Sequence, residues 1–192
     1  MFRVVALILT FASAGYAQTQ APAPRGDTPD FRLQIWGDVV DDFSTRVRNY
    51  FELRSQLEQG LPALAVTSDP ADIERAERAL AQRIRVARRE ARQGAIFSPS
   101  ISREFRNALL PVLDAETIEN ILDDNPGDFH HDINGRYSKE RSFSTVPANV
   151  LELLPSLPAD IEYRFLGRHL ILRDMRANVI LDQLPCAVQC RD

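Results

Sequence analysis

Leu157-Pro158-Ala159-Asp160-Ile161-Glu162-Tyr163-Arg164-Phe165-Leu166-Gly167-Arg168-His169-Leu170-Ile171-Leu172-Arg173-Asp174 holds two short apolar runs on either side of a Gly-containing turn. Residues 162–166 and 170–173 are rich in aromatic and branched side chains, the composition of strands. A third run of the same kind, 178–184, follows after the turn residues 174–177. Turns this short join antiparallel neighbours, so the three runs predict a β-meander. A sheet so small needs a helical cover on one face. The rest of the chain must supply it.

Immediately upstream, 154–158 (Leu-Pro-Ser-Leu-Pro) reads as a stiff connector, and Pro147 opens a short helix within 146–154. Farther back, 129–133 reads as a strand entering a tight turn at Asn134-Gly135, residues that tolerate the left-handed backbone of a hairpin. The expected β region is thus 128–185, with a tail at 186–192.

Residues 31–124 carry helical periodicity. Trp36, Val40, Phe43, Val47, Tyr50 and Leu57 form one broad stripe on a helix of about six turns, closed by Gly60-Leu61-Pro62. Asp69-Pro70 starts a second helix: Asp69 caps the free amides, Pro70 fits the first position, and Asp72 and Glu74 favour the positive dipole end. It is expected to run to Gln93, stop at Gly94, and bury Ile73, Ala76, Leu80, Ile84, Ala87 and Ala91 against the first helix in an antiparallel hairpin. Ser98-Pro99 opens a third helix with Ile101, Phe105, Ala108, Leu109 and Val112 on one side. Asp114 opens a fourth, carrying Ile118, Ile121 and Leu122 up to Asn125-Pro126-Gly127. The fold class is therefore α+β: an N-terminal helical hairpin or bundle packed on a small C-terminal antiparallel β-meander.

The start of the chain has the parts of an export signal. Arg3 gives a positive n-region, 4–14 is an apolar run too short to span a bilayer (roughly 20 residues are needed), and Gly15-Tyr16-Ala17 offers small residues for cleavage before Gln18. Residues 18–30, rich in Gln, Ala, Pro and Thr, read as a disordered leader. The expected mature protein is periplasmic or secreted, with no transmembrane span. The formal charge of −4 becomes −5 once Arg3 is removed, which argues against nucleic acid as a partner.

The quoted stretch resembles the C-terminal meander of periplasmic proteins that modulate nickel and cobalt efflux. Tyr163, Phe165 and Gly167 match its aromatic strand and Gly turn, whereas Arg168-His169 stands where that family tends to have Asn-Asp, and the first strand is shorter. The whole chain resembles exported proteins of soil bacteria. These resemblances imply a compartment more than a metal chemistry.

Three clusters are candidate sites. In the second helical segment, seven arginines face four carboxylates (Asp72, Glu74, Glu77 and Glu90), a net of +3. Arg85, Arg88, Arg89 and Arg92 would offer this charge to an envelope protein or an anionic surface, or else form a solvated face with local ion pairs. His130 and Asp132, with His169, have the ligand chemistry for a divalent transition metal such as Ni, Co or Zn, or else belong to a polar hairpin edge. His131 would point to the opposite face. Cys186 and Cys190 read as a local disulfide staple or as unpaired tail thiols; the C-x-x-x-C spacing is not that of thiol oxidoreductases.

The acidic run of Asp114, Glu116, Glu119, Asp123, Asp124 and Asp128 lacks the alternating ligands and central Gly of a calcium loop. No catalytic residue is assigned, because the chain holds no G-x-S-x-G, H-E-x-x-H or Gly-rich phosphate loop. The sequence therefore supports an exported, non-catalytic binding or scaffolding protein without a cofactor. A metal-responsive binding protein and a hydrolase whose groups converge only in space are the alternatives. Oligomeric state is left open.

Overall fold

The computed structural model describes residues 29–61, 69–124, 132–138 and 146–188. The elements are α1 (Pro29–Glu58), α2 (Pro70–Ala87), α3 (Pro99–Leu109), a 3₁₀ turn (Leu110–Val112), α4 (Ala115–Asp123), α5 (Ala148–Leu151), β1 (Ile161–Leu166), β2 (His169–Asp174) and β3 (Val179–Leu184). The strands form one antiparallel sheet in the order β1-β2-β3, so the architecture is the expected α+β meander under helices.

The helix starts follow from their caps. Asp69 accepts from Ala71 N–H at 2.9 Å, Ser98 from Ile101 N–H at 3.4 Å, and Asp114 from Thr117 N–H at 2.8 Å. That last bond also holds the Asp114 carboxyl below its usual range. α1 is longer than the stripe suggested, with 30 residues, or about eight turns. It already begins at Pro29, inside the segment expected to be a leader.

Side-chain bonds show that α1 and α2 run antiparallel. Arg83 of α2 donates to Leu57 O (2.8 Å) and Gly60 O (2.7 Å), satisfying carbonyls at the end of α1. Arg88 then stacks over the Tyr50 ring at 5.1 Å, and Arg46 reaches Ala95 O at 3.0 Å. Rising numbers on one segment meet falling numbers on the other. A Cβ at Gly60 would sit 2.7 Å from Arg83 Nη1, so a side chain there would push the guanidinium aside.

The helices cover one face of the sheet. Phe43, at the centre of α1, packs against Phe97 (5.5 Å), Phe105 (5.0 Å) and Tyr163 of β1 (6.2 Å between ring centroids). The same core takes in Ile161, Phe165, Leu170, Leu172, Val179, Leu181 and Leu184, the inward residues of the strands. A register shift at Leu172/Arg173 is a bulge, which lets the consecutive residues Leu181 and Asp182 both turn to the helical side. The opposite face carries a smaller cluster of Tyr137, Leu166, Ile171 and Ile180.

Three expectations need correction. α2 stops at Ala87 instead of Gln93, so Ala87 is exposed and Ala91 lies beyond the helix. The cause is tertiary: Asn134 Nδ2 captures the Arg88 carbonyl at 3.0 Å, and Gly94 (φ 91°) turns the following loop toward β3. The described part of 129–133 is not a strand; the tight turn at Asn134-Gly135 does form, with Asn134 at φ 63° and Gly135 N–H bonded to Asp132 O at 2.9 Å, but among the described residues it closes no hairpin. Instead 134–137 docks on β3, through Asn134 N–H to Ile180 O (2.7 Å), Ile180 N–H to Gly135 O (2.9 Å) and Tyr137 N–H to Asn178 O (3.1 Å). Finally, the start of the expected tail is packed: Ala187 and Val188 are buried, and Val188 N–H bonds Arg168 O at 3.1 Å.

Candidate functional site

A groove of about 430 Å³ lies beside β1. It is lined by Val146 and Leu151 around α5, by the connector residues Leu154, Pro155, Ser156 and Leu157, and by Ile161, Glu162, Tyr163 and Arg164 of β1. Successive strand residues point to opposite faces, so a groove touched by four in a row follows the edge of the strand. That edge is the outer one, since β2 pairs with the other side of β1. Among the described residues, no strand pairs with the outer edge.

The local sequence explains the groove. Pro155 and Pro158 hold the connector extended, and Tyr163 Oη donates to Pro155 O at 3.0 Å, tying the connector beside the strand. Burial pushes the Tyr163 hydroxyl well above the ordinary tyrosine range, so it stays a neutral donor. On the groove's lining, Leu151 stands 46 % exposed, a large apolar side chain the core has not taken. On the opposite face of β1, Glu162 accepts from Arg164 Nη2 and from Arg173 Nη1, both at 2.8 Å. The bond to Glu162 raises the Arg164 pKa.

The four arginines do not share one face. Arg88 turns inward, donating to Asn134 Oδ1 (2.7 Å) and Leu181 O (3.1 Å) beneath Tyr50. Burial lowers its pKa, offset in part by Tyr50 and Asp182. Arg85 is half-buried; Arg89 and Arg92 are exposed, with Arg89 3.3 Å from Glu90 and Arg92 bonded to Arg89 O and Ala91 O. Arg88 therefore acts inside the fold, clamping the end of α2 to β3.

The metal candidates are also dispersed. His169 opens β2, and its Nδ1 accepts from Cys186 N–H at 3.2 Å. Asp132 precedes the turn whose next residues bond Ile180, whereas the neighbour of His169, Leu170, pairs with Leu184. Four residues of β3, about 13 Å, part them. His130 and Cys190 lie outside the described residues, and among those described no group of three His, Cys, Asp or Glu could hold a metal.

Sequence reasoning missed three buried charges. Asp174 accepts from Tyr50 Oη (2.6 Å), Arg54 Nη1 (3.3 Å) and Ala177 N–H (2.9 Å). Burial first, then the Asp174 charge, raises the Tyr50 pKa far above the ordinary value. Asp182 gathers the amides of Gly94 (3.0 Å), Ile96 (2.6 Å) and Phe97 (2.8 Å), pinning their loop to β3. The signal was present but subtle: Arg54 follows Tyr50 by four on the apolar stripe, and Asp182 interrupts an aliphatic strand. All three are bonded within the fold, and no cavity opens onto them among those described. They act as structural clamps.

No family model matches the chain, and no curated protein or solved structure matches it either.

Proposed function

We propose that this chain is an exported, non-catalytic binding or scaffolding protein of the cell envelope, and that it binds through the groove formed by α5, the connector and β1. One observation carries the reading: α5, the connector and β1 enclose a groove of about 430 Å³ that mixes apolar residues with Glu162 and Arg164, and Leu151 on its lining is 46 % exposed. A concave surface with apolar walls and a few charged groups is suited to hold a partner's side chains. Export rests on the n-region, apolar run and small residues before Gln18.

Affinity co-purification from the envelope, with Leu151→Asp as the probe, tests this. Leu151 is 46 % exposed, so the fold should lose less than about 0.5 kcal/mol while capture falls. Undiminished capture by a folded Leu151→Asp chain would remove the groove. Loss of capture in Arg89→Gln/Arg92→Gln instead would move the site to the exposed arginines.

A further inference from the structure

We propose that Cys186 and Cys190 form a redox latch: their disulfide holds the segment after β3 against the β1–β2 turn, and a dithiol opens it. Cys186 is disulfide-bonded, and the sequence has one other cysteine, Cys190, to bond it within the chain. The ring so closed takes in only 186–190, so the bond constrains this segment and little else.

The latched segment has a defined seat. Ala187 and Val188 are buried in the main core, and Val188 N–H bonds Arg168 O, in the β1–β2 turn, at 3.1 Å. Cys186 N–H donates to Nδ1 of His169, the first residue of β2, at 3.2 Å. One residue earlier, Arg106 Nη1 bonds Pro185 O at 2.8 Å. Cys186 itself sits at φ 52°, in the left-handed region that a non-glycine residue enters only at higher energy. A small covalent ring holds the chain in that conformation. Once the ring opens, the two backbone N–H bonds and the burial of two small side chains must hold it unaided.

The rest of the fold is fastened elsewhere. β2 pairs with both β1 and β3, Asp182 pins the 94–97 loop, and Asp174 ties β2 to Tyr50 of α1. Opening the latch should therefore release 186–188 as one small unit and leave sheet and helices in place. Oxidised, the latch is closed, the state that an oxidising compartment favours.

Opening is thiol–disulfide exchange. A thiolate of the dithiol attacks one cysteine sulfur, the S–S bond breaks, and the other cysteine leaves. The dithiol's second sulfur then displaces the first cysteine. The dithiol is oxidised to its own disulfide, two electrons pass to the chain, and the dithiol's two protons end on the two cysteines.

Hydrogen exchange of the purified chain before and after dithiothreitol, with thiols counted, tests the latch. Purified without reductant, the chain should be free of thiols. After reduction it should show two thiols, and the Val188 amide should exchange about thirtyfold faster, the loop-closure entropy of so small a ring. Amides of β2 should keep their protection. Cys186→Ser/Cys190→Ser should exchange at Val188 like the reduced chain and ignore the reductant; if that variant fails to fold, the wild-type comparison decides. Two thiols with Val188 exchange unchanged would overturn the proposal, because the seat would then not need the bond. Loss of β2 protection together with Val188 would overturn it too, making the bond a staple of the whole fold. Free thiols or a disulfide-linked dimer before reduction would remove the bond within the chain.

Discussion

The two edges of this three-stranded sheet are treated in opposite ways. The β3 edge is closed: 134–137 bonds Ile180 and Asn178 through the backbone, Arg88 takes the Leu181 carbonyl, and Asp182 holds the 94–97 loop. The β1 edge carries a proline-stiffened connector and a groove on which Leu151 is exposed. Edge closure costs the ordering of loops that otherwise do nothing, and on the β3 side the described residues meet that cost. The groove beside β1 is the surface proposed for binding.

The largest effect expected from breaking this contrast is at Asp182. Asp182→Ala strands the loop amides of Gly94, Ile96 and Phe97 and should cost about 4 kcal/mol in denaturant unfolding, or about 12 °C in melting temperature. A loss below about 1 kcal/mol would mean that the β3 edge is not held by this clamp. Asn134→Ala comes next. It removes both bonds with Arg88 and leaves alanine at φ 63°, together about 3 kcal/mol. Calorimetry of a double-mutant cycle with Arg88→Ala should show the two changes to be strongly non-additive, because they share the bonds.

Between the edges, Tyr50→Phe should cost about 2 kcal/mol near neutral pH by taking a donor from the buried Asp174 carboxylate. Tyr50 also sets an alkaline limit. Its folded pKa is raised, so above the ordinary value of 10.0 the unfolded chain binds fewer protons than the native one. Stability is then full below pH 10 and falls as pH rises beyond it. Tyr163 is raised in the same direction, by burial. Absorbance titration of the phenolates should show both rings ionising only as the chain unfolds, and Tyr50→Phe should soften the alkaline limb. The smallest stability effect belongs to the groove: Leu151→Asp should change unfolding free energy by less than about 0.5 kcal/mol and act on association instead. Equal losses at Asp182 and Leu151 would erase the distinction between the edges.

Much of the fold was legible because it rests on local rules. The caps at Asp69, Ser98 and Asp114 need only a side-chain oxygen and the next turn of backbone. The strands were located to within two residues, because apolar runs between turn residues have few other uses. The misplaced features all depend on distant partners. Nothing in 88–93 ends a helix by itself; Asn134 does so from 46 positions away, by capturing the Arg88 carbonyl. Arg88 itself reads as one more surface cation until Asn134 and Leu181 are seen to receive it.

The candidate site was less legible than the fold. Periodicity tells which face of a strand is buried but not which edge is covered, since edge closure uses backbone groups that every residue possesses. The groove also joins α5, the connector and β1, whose approach depends on packing rather than pattern.

By itself, then, the sequence determined the order and class of the elements, the helix starts and the antiparallel meander, because capping, periodicity and turn chemistry act over a few residues. It also determined the charge order Glu162-Tyr163-Arg164, which no folding can change. The tertiary structure alone decided where α2 ends, which charges lie inside, and how the β3 edge is closed. Each of these depends on whether a segment far along the chain arrives to satisfy a buried polar group, and short-range pattern holds no record of that arrival.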